Sequence, residues 1–185
     1  NMSNALIIIG HPYWKDSVAN RAILEELQKL RPQIKISNLI ELYPDFDIDI
    51  EAEQRKLIEA DTVIWQFPLM WLWYSCPSIM RRYLEGVLSY GFAYGSSGSK
   101  LENKRLIASI TTGVKQSVYE GGTLGFSAGD LFKPLAQVAK MCSMVWEPPQ
   151  VTFGLNSAGA KGDEIKLEEI RTRCREHARL LSERL

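Results

Sequence analysis

Residues 5–30 read "ALIIIGHPYWKDSVANRAILEELQKL", and this stretch decides the fold. The run over 5–10 is short, apolar and ends in glycine, which is typical of a fully buried strand. A loop follows, in which Asp16 or Ser17 can cap a helix. Apolar residues then recur at steps of four, four and three, as on one face of a helix: Ala19, Ile23, Leu27 and Leu30. The stretch therefore predicts strand, loop and helix.

The same alternation continues along the chain. Further strands are predicted at 34–39, 61–67, 105–112 and 144–154, the last broken at Pro148-Pro149. Helices are predicted over 50–60, 77–88, 131–142 and 167–181. Strands alternating with helices imply a parallel sheet with helices on both faces, a three-layer sandwich. We expect an α/β, flavodoxin-like fold with five strands in the order 2-1-3-4-5, as a single domain over 1–185.

Bulk composition narrows the class of protein. The chain has 185 residues, of which 45% are hydrophobic and 24% charged, as in an ordinary globular protein. Basic and acidic residues are equal at 22 each, so no charge excess favours nucleic acid. No apolar run reaches the roughly 18–20 residues that span a bilayer, and no signal peptide is evident. The three cysteines do not have metal-ligand spacing; they fit reduced thiols in a cytoplasmic protein, and no metal site is expected.

In such sheets ligands bind beyond the carboxyl ends of the strands, at the switch point between strands 1 and 3. Three loops are expected there, with the sequences "HPYWKDSVAN", "PLMWLWYS" and "TTGVKQSVY". The Gly/Ser-rich segment 91–104, predicted as a mobile loop, could join them. Glycine motifs of dinucleotide and P-loop sites are absent, as is the G-x-S-x-G of hydrolases. His177 is expected to be solvated on the last helix. With few candidate acids or bases in the chain, the sequence favours chemistry that a bound cofactor performs.

The first loop suits a phosphate. Ser17 supplies a hydroxyl at a helix N-terminus, where free backbone N–H groups and the helix dipole favour an anion. Asn20 lies one turn further and can also donate, and His11 can contribute. The alternative is that Ser17 only caps the helix.

The second and third loops suit a flat ring. The second carries Trp71, Trp73 and Tyr74, which can stack on a π system or belong to a core or dimer surface. Trp65 precedes them on a strand and is predicted to be core. In the third loop, backbone N–H groups at 111–113 can bond a heterocycle. Tyr119 can offer a phenol O–H to a substrate oxygen that gains charge; the alternative is a half-buried surface tyrosine.

Together these segments resemble the flavodoxin-like NAD(P)H:quinone oxidoreductase family. The resemblance rests on "GHPYWKDSVANRAI", "QFPLMW", "YSCPSIMRRYLEGVLSYGFAYG", "ITTGVKQSVY" and "FKPLAQVAKMCSMVWEPP", which cover most of the chain. The phrases "DSVAN", "YPDFDID" and "MCSMVW" are most similar to short bacterial members. Some of those are ancillary subunits of glutathione-gated potassium efflux systems.

The resemblance implies a homodimeric flavoenzyme, an NAD(P)H dehydrogenase (quinone). Hydride would pass from NAD(P)H to FMN and then to a quinone or similar flat acceptor by a ping-pong mechanism. Cofactor contacts would come from the three loops: His11, Ser17, Val18, Ala19 and Asn20 at the phosphate side, Pro68, Leu69, Met70 and Trp71 along the isoalloxazine, and Thr111, Thr112 and Gly113 at the ring system. Tyr119 would be catalytic and face the substrate.

Two departures from the family pattern matter. An inserted "LW" means that either Trp71 or Trp73 could hold the ring position. The histidine that follows the tyrosine in the larger FAD enzymes is missing here, where Tyr119 is followed by "EGGTLGFS". Their long C-terminal extension is also missing, which favours FMN and leaves FAD as the second option. NADH and NADPH stay equally open.

A second reading makes the chain a regulatory ancillary subunit of a potassium efflux transporter, with the flavin as a structural or sensing group. In that case a cytoplasmic protein would lie at the inner face of the membrane through its partner. The composition disfavours an electron-carrying flavodoxin, because the strongly acidic surface of a steered carrier is not expected at zero net charge.

Overall fold

The centre of the fold is a parallel sheet. The structure, a computed structural model, describes residues 3–69, 76–119 and 125–185. The strands are β1 Ala5–Ile9, β2 Lys35–Asn38, β3 Thr62–Pro68, β4 Arg105–Thr111, β5 Val145–Trp146 and β6 Gln150–Thr152. The helices are α1 Ala19–Leu30, α2 Leu39–Leu42, α3 Ile50–Glu59, α4 Ser78–Val87, α5 Gln116–Tyr119, α6 Ala128–Met141 and α7 Glu164–Ser182. The strand order is β2-β1-β3-β4-β5, which confirms the predicted flavodoxin-like topology.

The predicted fifth strand is split in two, as the proline pair indicated. Its first half, β5, pairs with the start of β4 through Arg105 and Val145. Its second half, β6, pairs with the end of β4 through Thr111 and Thr152. Pro148 and Pro149 between them carry no N–H to donate to the neighbouring strand. The sixth strand is therefore a short addition that extends the same edge to the carboxyl end of β4.

Two apolar cores cover the two faces of the sheet because side chains alternate along each strand. On one face α1 and α7 pack together over Ile7, Ile64 and Ile107, all fully buried. On the other, α3, α4 and α6 contribute to a core that includes Trp65 and Phe67. Trp65 is 1% exposed, as predicted for a core residue.

Segment 91–104 differs from the open, mobile loop that its glycine and serine content predicts. Ala93 and Leu101 are fully embedded in the core, at 1% and 0% exposure. Tyr90 and Tyr94 pack edge to face with ring centroids 5.8 Å apart. Gly98 approaches the backbone of Tyr94 so closely that a Cβ would lie 2.1 Å from its carbonyl oxygen. Gly98 therefore serves close packing, whereas Gly91 has a φ of +83°, a backbone conformation that favours glycine.

No helix formed by the described residues is long and apolar enough to cross a membrane. Across 3–69, 76–119 and 125–185, no group of three or more His, Cys, Asp or Glu side chains is placed to hold a metal ion. Cys76, Cys142 and Cys174 are all buried, and Cys142 and Cys174 are free thiols.

Candidate functional site

The carboxyl ends of four strands are tied together at the switch point. The backbone N–H of Gly10, just after β1, donates to the carbonyl of Gln66 on β3 at 3.0 Å. Leu69 donates in the same way to Thr111 on β4 at 2.8 Å, and Thr112 donates to Thr152 on β6 at 3.1 Å. The loops that follow β1, β3 and β4 therefore start from one rigid edge, where ligands bind in this class of sheet.

Backbone donors collect where the first loop enters α1. A short 3₁₀ turn, Trp14–Asp16, brings the chain to Ser17, whose Oγ accepts from the Asn20 N–H at 3.1 Å. Ser17 is thus a helix cap, and because the oxygen accepts, its hydroxyl hydrogen stays available. The N–H groups of Val18 and Ala19 have no acceptor among the described residues. Free donors at the start of a 12-residue helix form a donor set that suits an anion.

His11 joins this loop as a neutral donor. The Tyr13 backbone N–H donates to Nδ1 of His11 at 3.0 Å, so the ring hydrogen of the neutral imidazole lies on Nε2. Burial lowers the pKa of His11 to about 4, although the nearby Asp16 opposes this shift. At neutral pH the residue offers a hydrogen bond and no positive charge.

Asn20 is held below the site. It is 2% exposed. Its Nδ2 donates to Thr111 Oγ1 at 3.0 Å, and its Oδ1 accepts from Gln66 Nε2 at 2.7 Å. These bonds tie α1 to β3 and β4. A direct contact of Asn20 with a cofactor stays a prediction.

At the end of β3, Pro68 is half-buried and stands in register with Thr111. Leu69 is buried at 6% exposure. Met70 and Trp71, expected to line the isoalloxazine, lie outside the described residues, as do Trp73 and Tyr74. The choice between Trp71 and Trp73 stays open.

The β4 loop supplies a third unused backbone donor. Thr111 and Thr112 are buried at 3% and 2% exposure, and Thr112 Oγ1 donates to the carbonyl of Val114 at 2.7 Å. Gly113 is exposed, with nothing within 4 Å of where a Cβ would stand. Its N–H has no acceptor in the part of the chain that the structure describes. Of these three residues, Gly113 has the open space and the unused N–H that contact with a heterocycle requires.

Tyr119 ends α5 and is 1% exposed, so among the described residues it is neither the half-buried surface tyrosine considered as the alternative nor open to a substrate, and its catalytic role stays a prediction. Its ring centroid lies 5.9 Å from that of Phe153. Burial raises the pKa of Tyr119, and a hydrogen bond with Thr112 opposes the shift. The phenol is therefore protonated at neutral pH and carries one hydrogen that it can donate.

Sequence reasoning missed three polar residues beneath the site. Gln66 and Ser109 stand in register on β3 and β4, both with 0% exposure. His177 on α7 is 1% exposed, so the prediction that it is solvated is wrong. The signal was available: one polar residue interrupts each of the apolar runs "VIWQF" and "LIASI" on the α1–α7 face. A buried polar group needs a partner, so each of these residues predicts a hydrogen bond across the sheet.

Comparison with known proteins agrees with this architecture. The profile of a protein family described as "Flavodoxin-like fold" matches residues 3–178. The glutathione-regulated potassium-efflux system ancillary protein KefF of Klebsiella aerogenes is 43% identical over 145 residues, which are 78% of this chain and 79% of that protein.

Two solved structures are similar over almost the whole chain. The general stress protein 14 of Treponema denticola, in complex with FMN, is 27% identical with a TM-score of 0.84, covering 96% of this chain and 97% of that one. The NADPH-quinone reductase of P. pentosaceus, at 23% identity and a TM-score of 0.73 over 92% and 97% of the two chains, shows the shared fold alone. The matched profile and the relative at 43% identity together show that this chain belongs to the flavodoxin-like family.

Proposed function

We propose that this protein is a flavin-dependent oxidoreductase, which binds FMN beyond β1, β3 and β4 and passes hydride from NAD(P)H to a quinone or similar flat acceptor. The observation that carries the proposal is the unused donor set at the start of α1. The Treponema denticola homologue in complex with FMN, at 27% identity, supports the choice of cofactor.

The phosphate of FMN would lie on the first loop. The N–H groups of Val18 and Ala19 and the hydroxyl of Ser17 donate there, and the dipole of α1 adds a favourable field. Nε2–H of His11 is a fourth donor. None of these groups is a cation, so the site discriminates by hydrogen-bond geometry, which a phosphate with several acceptor oxygens satisfies.

The ring system would lie between the loops after β3 and β4. Gly113 offers an unused backbone N–H in open space. Pro68 and Leu69 are proposed to line one side, with Met70 and Trp71 continuing that surface. Thr111, Thr112 and Asn20 hold the edge of the sheet that the ring would rest against.

When bound, FMN would supply the two-electron hydride chemistry of a ping-pong sequence between NAD(P)H and the acceptor. The residues of the protein would orient the two flat substrates in turn and provide hydrogen-bond donors to them. Tyr119 is the proposed donor to the acceptor oxygen that gains negative charge, because its phenol is protonated and sits at the end of the β4 loop.

We also propose association with a membrane transport protein, favoured by the 43% identity to the potassium-efflux ancillary protein. This association would place a cytoplasmic enzyme at the inner face of the membrane and is compatible with catalysis. A chain in which flavin serves structure alone is not favoured. A homodimer is proposed from the family resemblance; sedimentation of the purified protein at twice the mass of 21.0 kDa would support it, and a single-chain mass would contradict it.

The deciding experiment is a visible spectrum of purified protein with and without added FMN, followed by NADPH under anaerobic conditions and then a quinone. We expect a protein-bound flavin spectrum that bleaches with NADPH and returns with the quinone. A protein that retains neither FMN nor FAD would overturn the proposal. Bound flavin that NADPH does not bleach would overturn the oxidoreductase activity and leave a flavin-binding protein.

A further inference from the structure

A buried chain of hydrogen bonds crosses the sheet beneath the candidate flavin site. It begins at β6, where Thr152 Oγ1 lies 2.8 Å from His177 Nδ1. His177 Nε2 lies 2.7 Å from Ser109 Oγ on β4, and Ser109 donates to Gln66 Oε1 on β3 at 2.5 Å. These side chains join α7 to three strands through the middle of the α1–α7 core.

The series of hydrogen bonds continues to the carboxyl end of β4. Gln66 Nε2 donates to Asn20 Oδ1 at 2.7 Å, and Asn20 Nδ2 donates to Thr111 Oγ1 at 3.0 Å. Thr111 is 3% exposed and is the last residue of its strand. Its hydroxyl accepts, and its own hydrogen has no acceptor among the described residues.

Each hydrogen bond in this series is donated in the same direction, toward Thr111. A serine hydroxyl has one hydrogen, and Ser109 spends it on Gln66, so Ser109 must accept from His177. His177 therefore carries its hydrogen on Nε2, and Nδ1 accepts from Thr152. The polarity runs from Thr152 to Thr111.

The opposite histidine tautomer would reverse every bond. With hydrogen on Nδ1, Ser109 would donate to His177 and accept from the Gln66 amide. The Gln66 carbonyl would then face Asn20, and the Asn20 carbonyl would take the hydroxyl hydrogen of Thr111. Thr111 would be left with only lone pairs to offer. One tautomer thus leaves Thr111 as a donor, and the other leaves it as an acceptor.

We propose that His177 is a positioning residue: fixed as the Nε2–H tautomer, it orients this chain so that Thr111 presents a hydroxyl hydrogen to FMN bound beyond β4. The inference rests on the proposed flavin site and deepens it. It assigns a role to α7, although the cofactor would contact the loops after the strands and not this helix.

The surroundings of His177 support a fixed neutral ring. The side chain is 1% exposed, and burial lowers its pKa to about 4, so a positively charged ring, donating from both nitrogens, is not populated at neutral pH. Among the described residues both ring nitrogens have partners within 2.8 Å. Neither the amide of Gln66 nor that of Asn20 has an exposed surface on which to turn freely, at 0% and 2% exposure.

The tautomer is tested first, on flavin-free protein with ¹⁵N-labelled histidine. The chain has two histidines, so His11→Gln leaves only the signals of His177. We expect a ring with hydrogen on Nε2 and a bare Nδ1 at pH 7, unchanged in a Cys174→Ala control one turn away on α7. Hydrogen on Nδ1, or two tautomers in exchange, would overturn the inference.

The coupling to the site is tested by FMN dissociation constants, read from quenching of flavin fluorescence. Thr111→Val and His177→Leu should each weaken FMN binding about three- to tenfold, the usual effect of one neutral hydrogen bond. The double variant should bind about as well as the weaker single variant, because His177 acts through the Thr111 hydroxyl. Effects that multiply, or FMN binding insensitive to both changes, would overturn the positioning role alone.

Thr152→Val is the second route if His177→Leu does not fold. It removes only the hydroxyl that holds Nδ1, from a half-buried residue. We expect mixed tautomers in the ¹⁵N spectrum and weaker FMN binding; a single Nε2–H tautomer with full affinity would contradict the inference. Wild-type protein that holds no FMN would instead overturn the proposed function, and the positioning role with it.

Discussion

At Val18 a single backbone donor can be removed without touching any charge. Ser17 is extended at φ −73° and ψ 122°, which a residue before proline tolerates, and Val18 has φ −83°. The Val18 N–H has no acceptor among the described residues, so Val18→Pro should leave stability almost unchanged. We expect FMN affinity to fall by about 1.5–3 kcal/mol, the range for hydrogen bonds to charged groups. Fluorescence titration of FMN measures this.

Val18→Ala is the matched control for that change, because it alters the same side chain and keeps the N–H. Its FMN affinity should stay near that of the wild type. If proline and alanine at this position bind FMN equally well, the start of α1 does not hold the phosphate. Riboflavin, which lacks the phosphate, should bind both variants alike.

Tyr119 allows a second test at the scale of one atom. Tyr119→Phe removes the phenol oxygen and keeps the ring that packs against Phe153. If the phenol donates to the acceptor, turnover should fall by about two orders of magnitude, as for other lost transition-state donors. FMN content should stay the same. Tyr90→Phe, at an exposed position, is the control, and unchanged turnover with several quinones would remove Tyr119 from the mechanism.

Among the elements, segment 91–104 shows why glycine content alone misleads. Gly98→Ala would put a Cβ 2.1 Å from the carbonyl oxygen of Tyr94, and a backbone atom cannot swing aside as a side-chain tip can. We expect the free energy of unfolding to fall by about 1–3 kcal/mol. Gly129→Ala in α6 makes the same chemical change where the nearest atom is 3.5 Å away, and should be neutral or stabilising. The urea midpoints of the two variants compare these effects. Equal midpoints would mean that segment 91–104 shifts to accommodate the added methyl group without loss of stability.

Strand and helix order could be predicted because periodicity is local. The buried runs, the helical faces and the break at Pro148-Pro149 are all visible in short windows of sequence. The chain from His177 to Thr111 could not be predicted, because its members are far apart and meet only through the register of β3 with β4 and the packing of α7. Sequence showed only that Gln66 and Ser109 each interrupt an apolar strand.

For the molecule as a whole, the buried imidazole of His177 couples folding to pH. Its pKa is lowered from 6.5 to about 4 in the folded protein, because burial disfavours the charged ring. Between these values the unfolded chain binds a proton that the folded protein does not. Stability from this residue is therefore complete above pH 6.5 and is lost as pH falls through 4, by about 3 kcal/mol in total.

His177→Gln isolates that contribution, since glutamine can both donate and accept but does not titrate. Urea unfolding between pH 7.5 and pH 4 should show a shallower loss of stability in this variant than in the wild type. The carboxylates with lowered pKa values, Asp130, Glu168 and Glu176, titrate in both proteins, so their effect cancels in the difference. Cys174→Ala should keep the wild-type slope, because that thiol, with a pKa raised to about 12, does not titrate in this range. Parallel stability curves for wild type and His177→Gln would mean that His177 is protonated in the folded protein as readily as in the unfolded chain, so that the donor direction proposed for Thr111 would be lost as pH falls through 6.5 and not through 4.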